Sequence, residues 1–201
     1  SNSAESASTS FTTDTASSTS SSGVSGGLPS SSPGESKKVS WGSINAGETA
    51  VVEVPNSALA VTEVSFTVEK ATYNAFVKVE TATLPESASA FSGTTYKTLK
   101  ITESNVEKVL KDTATVKFKV AKTWLADKGL SNNGVALHRL VGDDWVELTT
   151  TVGDDDGTYV HYTAQTPGFS FFVIGEKEGA EPATAEEVEE LEAEDPSVDE
   201  A

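Results

Sequence analysis

Apolar and polar side chains alternate along several short runs of this chain, with a period of two residues. Within residues 61–68, Val64, Phe66 and Val68 alternate with polar residues, so the apolar side chains share one face. That period is typical of a β-strand with one face buried and the other in water. The same pattern predicts strands near Trp41 and at 49–54, 61–68, 76–82, 96–101 and 113–120.

Four further strands are predicted within residues 135–175, where turn-forming residues interrupt the apolar runs. The interruptions are 142–144, 153–157 and the pair Pro167-Gly168. Residues 145–150 are then one strand that two hairpins share.

Two short helical turns are predicted between the strands. One covers 103–110, where three apolar residues have helical spacing. The other covers 123–128, with Thr123 able to cap its start and Gly129 able to close its end. Together these elements predict an all-β fold, an antiparallel β-sandwich with one or two short helical turns, flanked by disordered tails.

Both ends of the chain differ in composition from the middle. Residues 1–37 are predicted to be a linker, because the first 36 residues hold 15 Ser and 5 Thr and too few apolar groups to offset their ordering entropy. The alternative is an O-glycosylated stalk, which this composition also resembles. The sandwich is predicted at 38–176. An acidic tail follows at 177–201, where a capping-box spacing also allows a short helix, and it carries most of the net charge of −17.

Composition and missing motifs exclude several classes of site and partner. The chain has no cysteine, so it has no disulfide and no thiolate metal site. No basic stripe is present to neutralise phosphates, so nucleic acid is not an expected partner. No apolar run approaches the roughly 18 residues of a membrane helix, so membrane anchoring is expected only through segments outside this chain. No nucleophile elbow, P-loop or metalloprotease motif occurs, so we do not expect an enzyme.

Three motifs in the last quarter of the chain carry a family resemblance. They are Trp145-x-x-Leu148, Tyr159-x-x-Tyr162-x-Ala164 and Thr166-Pro167-Gly168-Phe169-Ser170-x-Phe172-x-Ile174. Over about residues 38–175 the chain resembles the PGF-pre-PGF domain of archaeal cell-surface proteins. The resemblance implies a secreted, extracellular domain of the cell envelope, and it carries over no catalytic residue. We interpret the last motif as architectural, because Pro167 cannot join a strand ladder and Gly168 permits a sharp turn.

Aspartates in the predicted turns are candidate calcium ligands. Asp154, Asp155 and Asp156 precede Gly157, which matches part of an EF-hand-like loop without its later glutamate. Asp-Gly sequences are also what tight hairpin turns require. No cofactor is therefore predicted, with calcium held by Asp154 and Asp156 as the alternative.

Strand register predicts that two histidines and a glutamate lie in one row. A first turn centred after Gly142 pairs His138 with Glu147. A second turn centred on Asp154 pairs Glu147 with His161. Two imidazoles and a carboxylate can hold zinc. The alternative is a polar, partly aromatic outer face, because a slip of one residue separates the three side chains.

Trp145 and Tyr159 are candidates for a sugar-stacking platform on a sheet face, although both residues also fit a core or a seam between elements. The predicted function is a non-catalytic structural or interaction domain of the cell surface on a flexible stalk. Its expected partners are other envelope proteins or further copies of itself. The alternative is a glycan- or calcium-binding adhesin module whose partners are cell-surface glycans. Assembly predicts an exposed apolar patch or a free sheet edge, and an adhesin predicts a concave aromatic surface.

Overall fold

The computed structural model describes residues 35–55 and 57–180, and the two predicted tails lie almost entirely outside them. The described residues form two antiparallel β-sheets and one short α-helix, which confirms the predicted fold class. The elements in chain order are β1 (Ser36–Ile44), β2 (Thr49–Glu53), a 3-10 turn (Ser57–Leu59), β3 (Val61–Thr67), β4 (Thr72–Thr81), β5 (Thr95–Ser104), a second 3-10 turn (Glu107–Val109), β6 (Ala114–Ala121), α1 (Lys122–Lys128), β7 (Val135–Val141), β8 (Asp144–Glu147), β9 (Thr150–Asp155), β10 (Tyr159–Thr166) and β11 (Phe171–Glu176).

The strands are divided between a six-stranded sheet, in the order β1-β4-β5-β11-β7-β8, and a five-stranded sheet, in the order β2-β3-β6-β10-β9. Alternating apolar residues from both sheets meet in one core. At its centre Phe118 of β6 stacks on Tyr162 of β10, with ring centroids 5.1 Å apart. Burying one such aromatic side chain contributes about 1.5–3 kcal/mol. The alternation in β3 and β6 therefore supplies the driving force that the sequence pattern predicts.

The predicted helical turn at 103–110 is wrong in extent. Strand β5 continues to Ser104, and only the 3-10 turn Glu107–Val109 follows. The Glu103 carboxylate accepts a hydrogen bond from the Val106 amide at 2.7 Å, and Asn105 has a φ of 59°. These two features end the strand with a tight turn, so the apolar residues at helical spacing do not start a helix.

Helix α1 begins and ends close to the predicted positions. It closes at Gly129, whose φ of 63° lies in the left-handed region that glycine adopts without strain. Its N-cap is Ala121 and no side chain caps it, so the predicted cap at Thr123 is wrong. No helix among residues 35–55 and 57–180 is long and apolar enough to cross a membrane.

The predicted single strand at 145–150 is also wrong, because the chain changes sheets there. Strand β8 belongs to the six-stranded sheet and β9 to the five-stranded sheet. Leu148 donates its amide to the Leu137 carbonyl at 2.9 Å, and the Thr150 hydroxyl donates to the Leu148 carbonyl at 2.9 Å. The same hydroxyl accepts the Leu137 amide at 3.1 Å. We call this bend, residues 148–150, the sheet-switch corner.

A long loop, residues 82–94 between β4 and β5, covers part of the outer face of the six-stranded sheet. On this outer face Ala136, Leu140 and Val173 are buried although they do not belong to the main core. A Cβ atom on Gly175 would lie 2.7 Å from the Thr94 carbonyl oxygen of this loop. Glycine is therefore required where β11 passes under the loop.

Replacing Gly175 by alanine is expected to lower the free energy of unfolding by about 1–3 kcal/mol, because the new methyl group meets backbone that cannot move freely. The matched control is Gly42→Ala in β1, where a Cβ would have no neighbour within 4 Å. Urea unfolding of both variants tests the prediction. Equal stability of the two variants would contradict the tight contact.

Candidate functional site

A cleft of about 630 Å³ lies on the outer face of the six-stranded sheet. Its walls are the 82–94 loop, the β7–β8 hairpin and the end of β11. A smaller hollow of about 400 Å³ lies on the five-stranded sheet, where Lys117 and Glu63 form an exposed ion pair 3.1 Å apart. The hollow has no aromatic residue in its wall. The cleft is therefore the candidate site.

Aromatic rings form one wall of the cleft. The Trp145 indole donates its Nε1 hydrogen to the Ser89 carbonyl at 2.8 Å, and the Ser89 amide donates to the Asp143 carbonyl at 2.9 Å. Phe91 stands edge-on to Trp145, with centroids 5.9 Å apart, and edge-on to His138 at 4.7 Å. These contacts fix the loop and the half-buried indole against each other. The rings are thus pre-organised, which lowers the entropy cost of binding at this wall.

His138 and Glu147 lie together at the floor of the cleft. The predicted pairing of His138 with Glu147 across the β7–β8 hairpin is confirmed, and the His138 Nε2 atom lies 3.5 Å from the Glu147 Oε2 atom. The imidazole is 5% exposed. Burial lowers the pKa of His138, and the nearby Glu147 carboxylate partly offsets that effect. The Glu147 oxygen also accepts the Glu178 amide at 2.7 Å, so it holds the chain beyond β11 against the hairpin.

Carboxylates dominate the polar part of the cleft. Glu176 accepts two hydrogen bonds from Thr94, one from the amide at 3.0 Å and one from the hydroxyl at 2.9 Å. The bond from the Thr94 amide is the main reason that the pKa of Glu176 is lowered. Four carboxylate residues and one lysine line the cleft, namely Asp144, Glu147, Glu176, Glu178 and Lys177. The site therefore presents negative charge beside aromatic rings.

The predicted zinc row is wrong, because His161 belongs to the other sheet. His161 on β10 pairs with Lys119 of β6, and its Nε2 atom lies 2.8 Å from the Asp156 Oδ2 atom. The prediction had treated residues 145–150 as one continuous strand, which placed Glu147 opposite His161. The sheet-switch corner instead puts the two residues in different sheets. Among residues 35–55 and 57–180, no three histidine, aspartate or glutamate side chains form a group that could hold a metal ion.

The aspartates proposed for calcium hold a turn. The Asp156 Oδ1 atom accepts the Thr158 amide at 3.0 Å and the Tyr159 amide at 2.7 Å. Asp154 is exposed on β9. Asp155 accepts the Gly157 amide at 2.8 Å. These bonds fit the turn alternative, in which the carboxylates satisfy backbone amides.

The proposed sugar platform is divided between the two sheets. Trp145 lies on β8 of the six-stranded sheet and Tyr159 on β10 of the five-stranded sheet. The Lys119 ammonium group sits 3.9 Å from the centre of the Tyr159 ring and covers it. Only Trp145 therefore lies in the cleft.

The remaining residues of the family motif pack or hold turns. Leu148, Ala164, Phe169 and Phe172 are buried apolar residues of the core, and the Tyr162 hydroxyl donates to the Asn132 carbonyl at 2.9 Å. The motif from Thr166 onward forms the turn between β10 and β11. In that turn the Thr166 hydroxyl donates to the Gly168 carbonyl at 2.7 Å, and the Ser170 hydroxyl, three residues after Pro167, donates to the Leu140 carbonyl at 2.6 Å.

Sequence reasoning missed the contribution of the 82–94 loop. Phe91 and Thr94 lie far along the chain from β8 and β11, and no periodic pattern runs through the loop. One signal was present: Phe91 is a large apolar side chain in a stretch of small and polar residues. Such a residue in a long loop indicates that the loop packs against something.

No family model matches this chain, and no curated protein or solved structure matches it.

The Asp156 turn predicts a pH effect on stability. The hydrogen bond from His161, together with the two backbone amides, lowers the pKa of Asp156 from 3.8 to about 2. A lowered folded-state pKa adds stability above the unfolded-state value, and that stability is lost as the pH falls from about 4 towards about 2. Asp156→Asn is expected to flatten the pH dependence of the unfolding free energy in this window. Asp154→Asn is the matched control, and an equal effect of both substitutions would contradict the assignment.

Proposed function

We propose that this chain is a non-catalytic interaction domain of a cell surface, and that it contacts other envelope proteins or further copies of itself through the β7–β8 hairpin. The extracellular location rests on the resemblance to the PGF-pre-PGF domain and on the Ser/Thr-rich composition of residues 1–37. The exposed side chains and the edge position of the β7–β8 hairpin support the interaction role.

The single observation that carries the proposal is a pair of exposed valines on this hairpin. Val141 is 49% exposed and Val146 is 45% exposed. Val141 pairs with Asp144 and Val146 with Arg139, so the two valines are diagonal neighbours on one face of the hairpin. The two valines form a small exposed apolar patch at the end of the sheet, which a contact with another protein would cover.

The hairpin also provides a free strand edge. Strand β8 is the last strand of the six-stranded sheet, so the backbone groups on its far side pair with no other strand of the described residues. Covering the exposed halves of the two valines contributes about 2 kcal/mol, which alone gives only weak association. Backbone pairing along β8 supplies the further interactions, and the expected contact is therefore weak and dependent on concentration.

Val146→Asp is expected to weaken self-association about 10-fold or more, because it places a charge in the apolar contact. Sedimentation velocity over a wide concentration range measures the effect. The matched control is Val51→Asp on β2, where the valine is 42% exposed on the other sheet. An unchanged association of Val146→Asp, or an equal loss in both variants, would contradict a contact at the hairpin.

The cleft favours a second candidate function, glycan binding. Trp145 presents a fixed ring beside hydroxyl groups and carboxylates, which is the combination that sugar rings require: an apolar face to stack on and polar groups at its rim. This candidate assigns the contact with cell-surface glycans to the cleft and not to the hairpin edge.

Trp145→Ala is expected to abolish retention on immobilised neutral polysaccharides if the cleft binds glycans. Tyr73→Ala is the matched control, because Tyr73 is an aromatic residue that is 65% exposed on β4. Trp145→Phe keeps a ring but removes the bond to Ser89, and it separates stacking from support of the loop. Unchanged retention in a folded Trp145→Ala chain, shown by its thermal unfolding curve, would contradict the glycan candidate.

A further inference from the structure

The outer face of the six-stranded sheet has a second region, beside the cleft, that carries positive charge. Strand pairing places Lys38 of β1 opposite Lys78 of β4, and Lys100 of β5 opposite Glu80 of β4. Their neighbours along the strands, such as Val77 and Leu99, point into the core, so these lysines point outward. We call the surface formed by Lys38, Lys78, Lys100, Phe76 and Phe171 the lysine face.

Two aromatic rings lie on the lysine face under ammonium groups. The Lys38 Nζ atom lies 3.9 Å from the centre of the Phe76 ring, and the Lys100 Nζ atom lies 4.8 Å from the centre of the Phe171 ring. Lys78 alone has a carboxylate partner, Glu80, at 2.6 Å. Two of the three lysines thus contact rings and form no ion pair within the described residues. Lys38 and Lys100 can therefore accept carboxylates without first breaking an ion pair of this kind.

Residues 181–201 of the chain have the complementary composition. These 21 residues contain ten acidic side chains and no basic one, together with Val188, Leu191 and Val198. We call them the acidic segment. Its carboxylates match the lysines, and its three larger apolar side chains match the half-buried rings of Phe76 and Phe171.

The described chain ends at the β8 side of the six-stranded sheet. Glu178 donates its amide to the carboxylate of Glu147 on β8, and Ala180 packs against the main core. The acidic segment therefore starts at the side of the sheet that lies farthest from β1. The carboxylates of the cleft repel this segment from the site next to it.

The acidic segment is long enough to reach the lysine face. Lys100 lies five residues along β5 from the Thr95–Gly175 pair, or about 17 Å. Lys38 lies three strands across from β11, and its partner Lys78 pairs with Thr102, seven residues along β5 from Thr95, so Lys38 is about 27 Å from the end of β11. A fully extended chain of 21 residues spans up to about 70 Å. A tether that can span two sites raises the effective concentration of one at the other.

From this charge match and this length, we infer that the acidic segment 181–201 docks on the lysine face of its own chain. Other polyanions are alternative occupants, but the acidic segment is tethered to the face and is present in every molecule. The docked segment covers the rings and neutralises the lysines, so an external anionic partner must displace it before it binds this face. This docking does not depend on the role of the hairpin or of the cleft.

Paramagnetic relaxation enhancement tests the docking in the whole chain. Because the sequence contains no cysteine, Ala193→Cys provides a single attachment site for a nitroxide label in the acidic segment. The amide signals around Lys38, Lys78 and Lys100 are expected to lose at least half of their intensity, and those around Lys117 on the opposite sheet are expected to lose little. The effect is expected at about 0.01 M ionic strength, where the Debye length is about 30 Å, and it should disappear at about 1 M, where it is about 3 Å.

Charge variants and a mixing control complete the test. Replacing Lys38, Lys78 and Lys100 together by glutamine is expected to remove the signal loss, whereas the paired change Lys117→Gln and Lys119→Gln should leave it in place. Signal loss that is absent, or equal over both sheets, would overturn the proposal. A mixing control identifies the occupant: isotope-labelled chains without nitroxide are mixed with nitroxide-labelled chains. If the signal loss is intermolecular, appearing only in such mixtures, the occupant is a second copy, and the proposal is overturned.

Discussion

The sheet-switch corner at residues 148–150 is the constraint on which the arrangement of both candidate surfaces depends. Three hydrogen bonds hold the chain where it leaves one sheet and enters the other. Two of them join the corner to the backbone of Leu137, the third lies within the corner, and each contributes about 1 kcal/mol. Buried Leu148 fixes the bend in the core. The corner ends β8 after four residues, so the hairpin stands at the end of its sheet with one edge free. Because β9 and β10 follow the corner in the five-stranded sheet, His161 lies in the opposite sheet from Glu147.

The outer face of the six-stranded sheet is organised by the loop that partly covers it. Phe91 and Ser89 bind the loop to Trp145, and Glu176 binds its end to β11. Where the loop lies, the face has a cleft with carboxylates and rings, and beside it lysine ammonium groups lie over half-buried phenylalanine rings. One sheet face thus carries two regions of opposite charge. This division is consistent with the interaction role that we propose from the exposed valines of the hairpin.

Much of the fold could be predicted from residues that act locally. The alternation around Phe66 and Phe118 indicates strands because a period of two is a local property of the backbone. Gly129 ends α1 as predicted, because glycine adopts the left-handed conformation there without strain. The turn at Gly142 sets the predicted pairing of His138 with Glu147. These features depend on contacts within a few residues of one another.

The rest of the candidate site depends on contacts between distant residues, which the sequence pattern does not contain. The polar and apolar order of residues 145–150 fits one strand as well as two, and only the packing of Leu148 and the bonds of Thr150 decide between them. The position of Phe91 over His138 likewise depends on the path of a 13-residue loop. Trp145 was correctly selected as a candidate, but its partners could not be predicted from local spacing.

The most direct test of the interaction role is amide hydrogen exchange of the unmodified chain at low and at high protein concentration. If the hairpin is the contact surface, amides of Asp144–Glu147 exchange more slowly at high concentration, while those of β2 and β9 at the edges of the other sheet do not change. Equal exchange of the β8 amides at both concentrations would contradict self-association through the hairpin. Slower exchange at β2 or β9 alone would place the contact on the five-stranded sheet instead.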